Sequence, residues 1–334
     1  MVQLQDYEIY QLGDFKLESG MTIPKAFLAY KTYGDRSKPC VVFPTWYSGS
    51  HLDNEWLIHG KTLANYFVVC PNMFGNGYSS SPSNQPEPYN GPNFPNVTVA
   101  DNVRAQHQLV SQHLGIRKVF CVLGWSMGAG QSYQWGAQYP DYVERIIPFC
   151  GSAKTSVHNI VFLEGPKSAL KADAAFQEGY YTAKPQKGLR AFGRVYAGWG
   201  LSQAFYREKL YLKMGYASLE DFLVGFWEGY FLTKDPNNLL CQLWTWQHGD
   251  ISQLPQYGGN FEKALAGIKA KAMVMPGSMD LYFPPEDNEY EVKHMPNATY
   301  VPIESVWGHW AGGPGTSVDD AAFIDKRIKE FFAQ

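Results

Sequence analysis

The chain turns from strand to helix within Val119-Phe120-Cys121-Val122-Leu123-Gly124-Trp125-Ser126-Met127-Gly128-Ala129-Gly130-Gln131. Residues 117–123 form a short β-branched, apolar run, and the spacing of residues 131–139 predicts a helix that ends before Pro140. The pattern Gly124-x-Ser126-x-Gly128 between them indicates a turn so tight that only small residues fit beside the serine. Such a turn leaves the Ser126 hydroxyl exposed and available for chemistry.

Length and charge limit the classes of function. The 334 residues suffice for one large α/β domain or two ordinary ones. A formal charge of -3 and a pI near 6.2 give no electrostatic reason to expect nucleic acid or an anionic membrane as a partner. Residues 1–15 contain no apolar signal region, and no later run approaches membrane-spanning length, so we expect a cytoplasmic protein without a targeting segment.

The cysteines point to the same compartment. Their number, five, is odd, and four of them lie in or beside apolar runs: Cys40, Cys70, Cys121 and Cys150. This placement favours buried free thiols over a disulfide framework.

Strand and helix patterns alternate along the chain. Residues 4–34 alternate weakly and predict an antiparallel hairpin at a sheet edge. Short buried strands are predicted at 40–44, 66–70, 117–123, 145–150, 271–275 and 298–303, and helices at 98–114, 131–139 and 318–332. This order predicts an α/β fold with a mostly parallel central sheet flanked by helices.

The strand rhythm disappears between residues 152 and 263. Helical segments loaded with Trp, Tyr and Phe replace it, in a chain that is 16% aromatic overall. We expect a helical lid (152–263) inserted in a core domain formed by residues 1–151 and 264–334. An exposed part of this lid could support a homodimer.

A serine hydroxyl needs a histidine base, and the histidine needs an acid that fixes its tautomer. In a fold of this kind the chain order is serine, acid, histidine. Asp280 lies in a turn after a predicted strand, and His309 lies in a glycine-flanked loop before the last helix. We therefore predict the catalytic set Ser126, Asp280 and His309, with Glu286 and Asp287 as competing acids.

The other histidines are assigned no role. His294 lies in a polar stretch and is expected at the surface. The histidines before Asp280 lack metal-ligand spacing with cysteines or acids, so no metal site is predicted.

Acyl transfer also requires N–H donors for the developing oxyanion. The rule for this fold supplies the N–H after the nucleophile, here Met127, and one from the loop after an early strand. That second donor is Trp46 or Tyr47, with Tyr47 favoured. The side chains of these two aromatic residues could equally form walls of the acyl pocket.

Taken together, these residues resemble the α/β-hydrolase superfamily and, within it, the homoserine O-acetyltransferase branch. The resemblance spans most of residues 40–315 and is carried by Gly124-Trp125-Ser126-Met127-Gly128, 94–106, 131–140, Gly179-Tyr180, 185–189 and Phe283-Pro284-Pro285. It implies a sheet domain with a helical lid, an acyl-serine intermediate and no bound cofactor.

Two positions depart from the transferase pattern. The branch typically carries an arginine in the first lid helix that holds the amino-acid carboxylate, where this chain has Lys167. Lysine lacks the bidentate fork of arginine. The branch also typically has an aspartate directly after the catalytic histidine, where this chain has Trp310. The stretch Gly308-His309-Trp310-Ala311-Gly312-Gly313-Pro314-Gly315 resembles relatives that hydrolyse small acyl esters more than it resembles the true homoserine acetyltransferases. We assign Lys167 and Trp310 to the substrate pocket, together with Trp46 and Trp125.

Three functions follow from this pattern. The first is a serine hydrolase that cleaves short-chain esters, above all acetyl esters, of a small-molecule substrate. The second is an acetyl-CoA-dependent O-acetyltransferase that uses the same acyl-serine and an alcohol acceptor. The third is a non-catalytic binding protein, which an intact serine, acid and histidine set disfavours.

Overall fold

The structure is a computed structural model that describes residues 5–334. Residues 1–4, which include the start of the predicted hairpin and of the segment searched for a targeting signal, lie outside the described residues. Across residues 5–334 no helix has both the length and the apolar character that crossing a membrane requires.

An eight-stranded sheet organises the chain, with the order β1-β2-β4-β3-β5-β6-β7-β8. The strands are β1 (Glu8–Lys16), β2 (Thr22–Tyr33), β3 (Cys40–Val42), β4 (Phe67–Pro71), β5 (Cys121–Trp125), β6 (Arg145–Phe149), β7 (Lys271–Val274) and β8 (Ala298–Tyr300). β2 pairs antiparallel with β1 and β4, and the remaining neighbours pair in parallel. The predicted edge hairpin and the mostly parallel sheet are therefore confirmed.

Helices connect the strands. They are α1 (Val99–Gln108), α2 (Met127–Gln138), α3 (Val157–Lys171), α4 (Gln186–Gly200), α5 (Gln203–Arg207), α6 (Leu210–Lys213), α7 (Leu219–Phe222), α8 (Gly229–Leu232), α9 (Pro236–Gln247), α10 (Phe261–Ala266), α11 (Pro285–His294) and α12 (Val318–Phe332). α1 begins at a capping box in which Thr98 and Asp101 satisfy each other's backbone N–H groups. A π-helical turn, Leu109–His113, extends α1 to the predicted end of that helix.

The strand before Ser126 lies later than the sequence pattern predicted. β5 begins at Cys121 rather than at residue 117 and continues through Trp125. Val119 forms only an isolated bridge, with Val143. The neighbouring strand β6 starts at Arg145, so the chain before Cys121 has no continuous partner on that side.

The chain between β6 and β7 is mainly helical, as predicted. An aromatic-rich cluster of buried side chains joins these helices to one another and to the turn after β7. The division into core and lid at residues 152 and 263 stays a prediction. α10 runs through residue 263. Its Ala264 and Leu265 belong to a different buried cluster, which includes residues of the sheet strands.

All five cysteines have free thiols. Cys40, Cys70, Cys121 and Cys150 are buried and Cys241 is half-buried. The prediction of buried free thiols at the four apolar positions is confirmed.

Candidate active site

Ser126 occupies a sharp turn between β5 and α2. Its backbone has φ 58° and ψ -124°, a conformation that costs a residue with a side chain about 1–3 kcal/mol. A Cβ added at Gly124 would lie 2.4 Å from the backbone of Gly128, and one at Gly128 would lie 3.0 Å from the carbonyl oxygen of Pro44. Backbone therefore passes so close to Gly124 that a side chain is excluded there, and little room is left for one at Gly128.

His309 lies beside this serine. Its Nε2 is 2.9 Å from the Ser126 Oγ, and the imidazole is almost fully buried. His309 belongs to a 3-10 turn, Gly308–Gly312, in the loop before α12. Gly308 has φ 60°, and a Cβ there would lie 2.7 Å from the backbone nitrogen of Ser202. The glycine before His309 thus allows the loop to pack closely against the inserted helices.

Asp280 completes the hydrogen-bonded series. Its Oδ2 lies 2.7 Å from the Nδ1 of His309. Its Oδ1 accepts the backbone N–H groups of Tyr282 at 2.8 Å and Phe283 at 3.1 Å, which orient the carboxylate. An acid on Nδ1 fixes the tautomer in which Nε2 can accept the serine proton.

The two competing acids lie elsewhere. Glu286 and Asp287 stand in the first turn of α11. Burial, followed by the nearby Glu286 carboxylate, raises the pKa of Asp287. Asp280, rather than either of these acids, occupies the Nδ1 side of His309. The geometry therefore brings together the three residues predicted from the sequence.

The predicted oxyanion donors border the serine. Met127 is the first residue of α2, where a helix leaves its N–H groups without intrahelical partners. The N–H groups of Trp46 and Tyr47 also have no hydrogen-bond acceptor within the described part of the chain. The Tyr47 side chain is held in place by its hydroxyl, which donates to the carbonyl oxygen of Leu239 at 3.1 Å. Both residues stay candidates for the second donor.

An aromatic cavity of about 140 Å³ opens beside Ser126 and His309. Trp46, Trp125 and Trp310, which the sequence assigned to the substrate pocket, lie along it. Trp125 also donates its indole N–H to the carbonyl oxygen of His309 at 3.0 Å.

Many of the other residues that line the cavity belong to the helices between β6 and β7. The sequence revealed the aromatic content of this region but not which rings line the cavity. The structure adds Tyr196, Phe226, Trp227, Tyr230 and Phe231. The last four fall into two pairs four residues apart, a spacing that places the members of each pair on one helical face. That spacing is the signal by which the sequence could have singled them out.

The assignment of Lys167 to this cavity is corrected by the structure. Lys167 lines a separate cavity of about 240 Å³, bordered also by Trp244 and Gln247. Its Nζ lies 2.8 Å from a carboxylate oxygen of Glu164, one turn earlier on α3. The orientation of α3 thus directs the amine to a carboxylate at the surface and away from Ser126.

Cys150 is the nearest candidate for a competing nucleophile, since it follows β6 next to the elbow. Burial and the nearby Asp280 carboxylate raise the pKa of its thiol well above the usual range. A neutral thiol is a poor nucleophile. The Cys150 thiol is therefore a weak competitor for the nucleophile role predicted for Ser126.

The fold and this site define the class of protein: the chain belongs to the α/β-hydrolase family, whose model for the alpha/beta hydrolase fold matches residues 38–314. An ethyl acetate hydrolase from Pseudomonas veronii is 37% identical over 98% of this chain and 95% of its own length. The crystal structure of an acetylester hydrolase from Corynebacterium glutamicum has a TM-score of 0.94 and 36% identity, covering 98% of this chain and 96% of that chain. A homoserine O-acetyltransferase from Methanosalsum zhilinae is 31% identical over 89% of this chain and 67% of its own length. The resemblance stated from the motifs, with its leaning towards the esterases, is confirmed.

Proposed function

We propose that this protein hydrolyses short-chain carboxylic esters, above all acetyl esters, through an acyl-enzyme at Ser126. Ester hydrolysis is the activity named for two proteins that are 37% and 36% identical to this chain over 98% of its length. The observation that carries the proposal is the buried series from Asp280 through His309 to Ser126, at the wall of an aromatic cavity.

The reaction follows from the roles of these atoms. The Ser126 Oγ attacks the ester carbonyl carbon while the His309 Nε2 takes the hydroxyl proton, and the N–H groups of Met127 and Tyr47, or Trp46 in place of Tyr47, hold the oxyanion. His309 then gives its proton to the alcohol oxygen, the C–O bond breaks and the alcohol leaves. Water then attacks the acyl-serine while His309 takes a proton from it. His309 gives this proton to the Ser126 Oγ as the acyl C–O bond breaks and the carboxylic acid leaves.

The lining of the cavity supports an ester without a negative charge. Among the described residues that line it, Asp53 is the one with a carboxyl group, and none is a lysine or an arginine. A buried anion needs a cationic or hydrogen-bonding partner, and a carboxylate beside it is unfavourable. Small uncharged esters should therefore bind in this cavity more favourably than an amino acid or a phosphate would.

The acetyl-CoA-dependent acetyltransferase is the second candidate, supported by the similarity to the Methanosalsum zhilinae protein. It would use the same acyl-serine and pass the acetyl group to an alcohol. The orientation of Lys167 towards Glu164 counts against it, because that amine is not available at the cavity to hold an acceptor carboxylate.

Burst kinetics with p-nitrophenyl acetate separate the two candidates. We expect steady release of acetate that is unchanged by acetyl-CoA or by added small alcohols. An acyl-enzyme that persists in water until an alcohol is added would establish the transferase instead. Ser126→Ala should abolish both the burst and the turnover, and a surviving burst would place the nucleophile elsewhere.

A further inference from the structure

Ser126 borders two cavities. Besides the aromatic cavity, a small cavity of about 20 Å³ also has Ser126 in its wall, together with Met127 at the start of α2. The residues around the small cavity include Val99, Ser126, Met127, Thr155, Trp246 and Phe283. His309 lines the aromatic cavity and not the small one.

We propose that the small cavity is the acyl subsite and that Trp246 and Phe283 limit the acyl group to acetyl, an inference that rests on the proposed function. The position of His309 supports this division. The base must give its proton to the departing alcohol oxygen, so the alcohol lies in the cavity that His309 lines. The acyl substituent leaves the carbonyl carbon in another direction, and the small cavity receives it.

The volume of the small cavity sets the length of the acyl group. A cavity needs roughly 10–15 Å³ of probe-occupied space to hold one water-sized group. The about 20 Å³ beside Ser126 therefore accommodates one group of about that size, which corresponds to the methyl of an acetyl group. The aromatic cavity, at about 140 Å³, leaves room for a longer alcohol chain.

The wall of the small cavity is well packed. The Trp246 indole stacks on the Phe283 ring, with centroids 5.5 Å apart and planes inclined by 14°. Phe283 is anchored by the hydrogen bond from its backbone N–H to Asp280. Tyr47 and Tyr282 contact the other sides of the indole, at centroid distances of 5.6 Å and 5.7 Å. On this side of the small cavity, a longer acyl chain would have to displace this set of rings.

Shared lining residues connect the small cavity to a larger one. This outer cavity of about 380 Å³ shares Val99, Thr155 and Gly249 with the small one. Trp244, two residues before Trp246 on α9, lines the outer cavity but not the small one. Space for a longer acyl chain therefore exists beyond the connection, and widening the connection should make it accessible.

The test compares three esters that separate the two sides of the substrate: ethyl acetate, ethyl butyrate and butyl acetate. For the wild-type enzyme, we expect kcat/KM to fall at least about tenfold when two carbons are added to the acyl side. The value should change much less when they are added to the alcohol side. A methylene that does not fit an apolar pocket changes kcat/KM by about 10- to 200-fold.

Trp246→Phe is the main variant. The buried Trp246 Nε1 has no hydrogen-bond partner among the described residues, so the smaller ring removes bulk without breaking a hydrogen bond. The ethyl butyrate to ethyl acetate ratio of kcat/KM should rise at least about tenfold. Val99→Ala, at the connection between the two cavities, should raise the same ratio. It provides the test if Trp246→Phe does not fold.

Two controls define the outcome. Trp244→Phe should leave the acyl preference unchanged, and Phe226→Leu should alter the butyl acetate to ethyl acetate ratio only. If Trp246→Phe alters the alcohol preference and not the acyl preference, or if neither widening variant changes the acyl preference, the subsite assignment is overturned. Failure of the proposed function would differ, because the wild type would then hydrolyse none of the three esters or Ser126→Ala would retain the activity.

Discussion

The indole N–H of Trp125 donates to the carbonyl oxygen of His309 across 3.0 Å, and the two rings stack with centroids 4.8 Å apart. Trp125 directly precedes Ser126, so one side chain links the turn at Ser126 to the loop that carries His309. The contact links residues 184 positions apart in the sequence. It holds the imidazole at the distance from which Nε2 reaches the serine hydroxyl.

Trp125→Phe should lower kcat for acetyl ester hydrolysis about fivefold to tenfold, because one buried hydrogen bond contributes about 1 kcal/mol to holding the base in place. Steady-state kinetics with p-nitrophenyl acetate measure the change. Trp135→Phe is the matched control, since its indole N–H donates to Gln106 at 2.9 Å within the core. Its kcat should stay within about twofold of wild type, and equal losses in both variants would rule out a positioning role for Trp125.

Asp280→Asn should reduce kcat by about 10³- to 10⁴-fold, because an amide at this position favours the wrong histidine tautomer. A small residual rate should remain from the oxyanion donors and binding. Pre-steady-state acylation measures the loss directly. Full activity would instead assign the acid role to Glu286 or Asp287. A variant that lacks both Asp280 and that second acid would then be the inactive one.

Gly124→Ala should destabilise the fold by about 1–3 kcal/mol or more, because the new methyl would meet the Gly128 backbone at 2.4 Å. Urea unfolding monitored by circular dichroism gives the change in the free energy of unfolding. Gly198→Ala on α4 is the contrasting variant, since nothing lies within 4 Å of an added Cβ there. That variant should be unchanged or more stable by about 0.5–1 kcal/mol, as expected for glycine replaced by alanine in a helix.

Glu291 gives the fold a pH-dependent contribution to stability. Burial raises the pKa of this carboxyl group from 4.5 to about 7, although it accepts the N–H of Ala153 at 2.7 Å. Between these two pKa values the folded protein holds a proton that the unfolded chain releases. The contribution is therefore complete below pH 4.5 and is lost as the pH rises through about 7, a change on the order of 3 kcal/mol.

Glu291→Gln removes this titration. Relative to the variant, wild type should lose stability between pH 5 and pH 8, as measured by reversible urea unfolding at several pH values. Glu289→Gln, at an exposed position on the same helix, should follow the wild-type curve. A constant difference between wild type and Glu291→Gln across this range would contradict the raised pKa.

Local pattern accounts for much of what the sequence predicted. The run into Gly124-x-Ser126-x-Gly128 predicted a strand, a turn and a helix, because small residues at two positions and β-formers before them admit few alternatives. The last helix was predicted at residues 318–332, and the structure places it at Val318–Phe332. Strand limits were less accurate, as at Val119, because a strand extends only as far as its partner does.

Chain order and residue chemistry by themselves determined the fold class and the three residues that meet at the elbow. Asp280 and His309 could be selected because each follows a strand of a parallel sheet, and the carboxyl ends of such strands share one edge. Only the tertiary structure decided what surrounds the serine. The direction in which a helix points its side chains depends on packing between distant segments, which is why Lys167 lies outside the cavity while Phe226 and Trp227 line it. The two cavities at Ser126 likewise exist only where the inserted helices meet the sheet.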